Sequence, residues 1–168
     1  MITSQRILVV GGLALLLWSM SYGLWYAVFD EHQTLEGMGA NLAQGFVAAA
    51  ERDQAKSQEH IARYAAIKYE YVREVDVHSH WGGLAMVLLV LAFLFDRVAL
   101  AEAARIRLAW ALLLGSALFP AGVILQTVIS GPVPRALAAI GAALVTLALA
   151  VVAIKLAPDS QTANSSEV

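Results

Sequence analysis

Apolar and polar positions along this chain fall into long blocks. Four apolar runs, residues 7–29, 81–95, 108–129 and 133–156, reach or approach the roughly 20 residues that a helix needs to cross a hydrocarbon core of about 30 Å. The second run is short by itself, and an apolar flank or some tilt makes up the difference.

Residues 30–80 follow another rhythm. Leu35, Met38, Leu42, Gly45/Phe46 and Ala49 recur at three-four spacing, and so do Ile61, Tyr64, Lys68, Tyr71, Val75 and His78. Each series predicts a helix with one stripe facing a neighbour. A break at residues 50–54, AERDQ, joins the two as an antiparallel hairpin. If the second helix runs on from about Gln54 to Phe95 it is roughly 60 Å long at 1.5 Å per residue, and about half of it projects from the bilayer. Gly37 and Gly39 mark EGMG as the place for any kink.

The expected fold is therefore an all-α integral membrane protein with four transmembrane helices and a long extramembrane antiparallel helical hairpin between the first and second spans. Residues 1–29 form the first span, 30–80 the extracytoplasmic hairpin, 81–97, 106–129 and 133–156 the remaining spans, and 157–168 a disordered tail.

Composition agrees with the pattern. Of 168 residues 60% are hydrophobic and 14% charged, with a mean hydropathy of +0.68, too apolar for a water-soluble domain of this length. Arg6 ahead of the first run resembles the start of a signal peptide. That run continues through SYGLWYAVF, with no small-residue cleavage site behind it, so a retained span with Trp25, Tyr26 and Phe29 as an interfacial belt is expected. Arg97, Arg105 and Arg107 crowd the short connection between the second and third runs, and Arg6 and Lys155 share that side. The positive-inside rule then puts both termini in the cytoplasm, of a bacterial inner membrane, and the hairpin outside.

The net charge of −2 comes with no Lys/Arg cluster of the kind nucleic acid requires, and there is no cysteine, which removes disulfides, thiolate metal sites and iron–sulfur clusters. All four histidines lie in residues 30–80, among nine acidic and five basic residues, a net of −4. A hairpin turning near residue 53 sets His32 opposite Val75, with Tyr71 and His78 beside it. His32 and His78 should both point into the seam, with Glu36 and Glu74 within a turn. Such a site, joined by His80 if the helix breaks at HSH, suits copper, iron, zinc or haem held between facing helices. On a continuous helix His78 and His80 diverge by about 200°, and His80 faces the SGPVPR loop or a partner chain. His60 is expected at a solvent-facing position.

Two functions compete. One is a small, non-catalytic accessory subunit of a redox or metal-handling membrane complex, binding a metal ion or haem at the outer surface through His32, His78, His80, Glu36 and Glu74. The other is a cofactor-free structural or interaction subunit whose hairpin docks another membrane subunit or mediates homo-oligomerisation. The third and fourth runs hold no interior charge, so transport is not expected of a single chain. Pro120 should kink the third span. The small residues Ala138, Ala139, Gly141, Ala142 and Ala143 suit close helix packing in the fourth.

Overall fold

The computed structural model describes residues 2–156, and the tail expected to be disordered lies outside the described residues. The described residues form five helices, α1 (Thr3–Phe29), α2 (Glu31–Ala50), α3 (Gln54–Leu94), α4 (Glu102–Val128) and α5 (Pro132–Leu156), with a 3-10 turn, Phe95–Arg97, after α3. Four of them, α1, α3, α4 and α5, are long and apolar enough to cross a membrane, and they carry the four apolar runs. Among the described residues the architecture is all-helical, and its four long apolar helices suggest a multi-pass membrane protein.

Only Asp30 separates α1 from α2, so the two succeed one another along the 41-residue α3. α2 runs unbroken through EGMG, and the interruption falls at Asp30 instead. Asp53 accepts the Lys56 backbone N–H at 3.0 Å and starts α3, satisfying one of the free donors of its first turn. Ahead of it Arg52 adopts φ +63° in the reversal at residues 51–53. α3 then continues without a break through His78, His80, Gly82 and Gly83.

α4 and α5 form a second antiparallel pair, turned at Gly131, whose φ of +134° suits glycine, and restarted by Pro132 in the first turn of α5. Their contact is close enough that a Cβ at Gly122 would overlap the Ala138 backbone, and one at Gly141 the Phe119 backbone. The face used is Ala138, Gly141 and Val145, while Ala139 and Ala143 turn outward. Pro120 is buried within α4, and the Trp81 indole donates to the neighbouring Ala117 carbonyl at 3.3 Å. Leu8, Ala85, Leu88, Phe95, Ala109 and Leu112 fill the core between α1, α3 and α4.

Candidate functional site

α2 rests on α3 through Thr34, Gly37, Met38, Asn41, Leu42, Gly45 and Ala48, and α3 answers with Ser57, His60, Tyr64, Ile67, Tyr71 and Glu74. Both faces are rotated in part from the expected stripes, keeping Met38, Leu42, Gly45, Tyr64 and Tyr71 and adding Gly37, Asn41, His60 and Ile67. Leu35, Phe46, Ile61 and Val75 lie at the surface instead. Small residues win the seam because they let the helices approach. Ser57 Oγ donates to the Gly45 carbonyl at 3.0 Å, and the space of a Cβ on Gly45 is bordered by Ile61 and His60.

This rotation decides where the histidines go. His32 is turned away from α3, its side chain 82% exposed and its Nε2 3.2 Å from Glu36 on the next turn. His60, expected at the surface, is buried with 8% exposure, its Nδ1 3.3 Å from Asn41 Oδ1. With Asn41 facing His60 and Gly45 facing Ser57, the register set by the turn brings Gly23 and Ser19 of α1, not His32, opposite His78.

His78 Nδ1 lies 2.9 Å from the Ser19 carbonyl, and Ser19 Oγ donates to the His78 carbonyl at 2.9 Å. A carbonyl only accepts, so Nδ1 carries the proton in the neutral ring and Nε2 keeps a lone pair. The ring fills the space of a Cβ on Gly23. One turn earlier the Tyr22 hydroxyl donates to Glu74. His80 points elsewhere, as a continuous helix requires. Its Nδ1 is 2.6 Å from the Asp76 carbonyl and its ring meets Phe119 of α4 edge-on at 5.1 Å, so its neighbour is a helix and not the SGPVPR loop. The residues expected to share one site are thus distributed over an exposed pair, His32 and Glu36, a contact with α1, Glu74 and His78, and a contact with α4, His80. Among the described residues no three His, Asp or Glu side chains are placed to hold one ion.

The level of these groups differs from expectation. Ser19, Tyr22 and Gly23 belong to the first apolar run and Ala117 and Phe119 to the third, so the polar part of α3 from Glu74 to His80 lies alongside apolar runs and not beyond them. Above these groups, where α1 and α4 end, Tyr26, Asp30, Thr34, Glu70, Tyr71, Glu74 and Thr127 line a polar pocket of about 260 Å³. The signals for it were the carboxylates Glu70 and Glu74 at four-residue spacing and Tyr26 of the belt.

No protein-family model matches the chain, and comparison with curated proteins and with solved structures found no match to either.

Proposed function

We propose that the chain is a structural or interaction subunit of a membrane assembly. In this reading both termini are cytoplasmic, and α2 with the first half of α3 forms a helical hairpin outside the bilayer that contacts a neighbouring subunit. The observation that carries it is the outer surface of α2, where Phe46 and Val47 are 66% and 58% exposed next to a turn as charged as Glu51–Arg52–Asp53. Large apolar side chains at an aqueous end suit an interface. A metal or haem centre built on His32, His78, His80, Glu36 and Glu74 has less support, because His32 and Glu36 face outward while His78 is held by α1.

The test is a photo-crosslinking residue placed at position 46 in native membranes, with exposed position 58 as control. An adduct of defined mass from position 46 alone supports the reading, and its mass distinguishes a second copy from a different chain. Equal labelling at both positions, or none at 46, would sink it.

A further inference from the structure

The pocket at the outer end of α1 is acidic and unfinished. Asp30, Glu70 and Glu74 contribute carboxylates, Thr34 and Thr127 hydroxyls, and Tyr26 and Tyr71 aromatic rings, with no basic side chain in the lining. None of the three carboxylates takes part in an ion pair among the described residues; Glu74 receives only the Tyr22 hydroxyl. Tyr26 supplies the second, independent observation. It is 6% exposed, and its hydroxyl is buried beside Thr34 without a hydrogen bond of normal geometry. A buried hydroxyl left unpaired costs free energy that a ligand can return.

We propose that this pocket binds a primary ammonium group. An ammonium ion offers three donors and one positive charge in a compact volume, matching a lining of acceptors with excess negative charge, and the two tyrosine rings favour a cation further. A bare metal ion is a poorer match, because no three carboxylates or histidines converge. The pocket sits where the first and third apolar runs end, three residues from Phe29 and two from Ile129 at Tyr26 and Thr127. That level admits an ammonium from either of two sources, a free amine from the aqueous side or the headgroup of an aminophospholipid.

The probe is ethanolamine, with ethylene glycol as its uncharged counterpart, titrated into the full chain in amine-free detergent and followed by calorimetry or ligand-observed NMR. Saturable binding of ethanolamine without binding of the glycol is expected. Glu70→Gln should weaken it by about tenfold, the size of one charge-assisted hydrogen bond, and Tyr26→Phe, which keeps the ring and the shape, by several-fold. Repeating the titration in nanodiscs identifies the source. Loss of ethanolamine binding in phosphatidylethanolamine discs but not in phosphatidylcholine discs assigns the site to the lipid headgroup, and retention in both assigns it to a free amine. Equal binding of ethylene glycol, no saturation up to tens of millimolar, or affinity unchanged in both variants would overturn the proposal.

Discussion

The α4–α5 contact and the α1–α3 seam both rest on glycine, and they fill the space it leaves in opposite ways. At Gly122 and Gly141 the place of a side chain is taken by the partner helix's own backbone. At Gly23 it is taken by an imidazole. The first arrangement sets backbone against backbone and gains from close packing. The second admits a titratable ring between two long helices, which then needs the Ser19 carbonyl to satisfy it. Absence of a Cβ therefore means close helices in one region and a polar guest in the other.

The largest effect should come from filling the backbone contact. Gly141→Leu places a side chain against main chain that cannot rotate away, so α4 and α5 must separate, at a cost of about 3 kcal/mol. Unfolding by SDS titration in mixed micelles would measure it. A loss under about 1 kcal/mol would mean that the contact gives way easily, and the contrast with Gly23 would collapse.

At Gly23 the obstacle is a side chain, which sharpens the comparison through a double-mutant cycle. Gly23→Ala alone should cost about 1–2 kcal/mol, as the His78 ring is pushed off the Ser19 carbonyl. In a His78→Ala background the same change should cost less than about 0.5 kcal/mol. Additive losses would show that the ring does not occupy that space.

Farther along the seam the effects are smaller and local. Asn41→Ala leaves the buried His60 ring without its partner and should cost about 1 kcal/mol. His32→Ala, at the exposed surface of the same helix, should change stability by less than about 0.5 kcal/mol. If the two substitutions cost the same, the rotation of α2 described above is wrong.

That rotation also shows what the sequence could and could not convey. The four apolar runs were legible because a helix in hydrocarbon must be apolar over about 20 residues whatever it packs against. The divergence of His78 from His80 follows from helical geometry once α3 is continuous, and that continuity, left open in the sequence by Gly82 and Gly83, is seen only in the structure. The face of α2 was read in part: Met38, Leu42 and Gly45 lie on it, but Leu35 and Ala49 do not, and Gly37 and Asn41 were passed over because apolar side chains were counted as the stripe. The same small-residue reasoning had been applied to α5, and it would have turned His32 outward and His60 inward. The level of Glu74 and His78 was hidden for another reason. It depends on how far α3 slides along α1, a register fixed by the length of the reversal at residues 51–53 and by Gly23, which no single stretch of sequence announces.

The smallest expected effect lies at the opposite end of α1, where neither arrangement operates. Ser4 donates its backbone N–H to Glu102 Oε1 at 2.9 Å and its hydroxyl to Oε2 at 3.2 Å, and Arg105 Nε lies 3.1 Å from the same Oε2. The Ser4 backbone N–H foremost, then its hydroxyl and the Arg105 charge, hold the Glu102 carboxyl below the usual carboxylate range. A lowered pKa means that the folded chain releases the proton more readily than the unfolded one, so the contribution to stability is complete above the usual range and disappears as pH falls through the lowered value. Thermal unfolding of the wild type and of Glu102→Gln should therefore differ by a constant amount of about one degree or less at neutral pH and converge in acid. A difference that stays constant down to strongly acidic pH would show that Glu102 acts by shape and not by charge, leaving the first free N–H groups of α1 capped by an acceptor that need not be ionised.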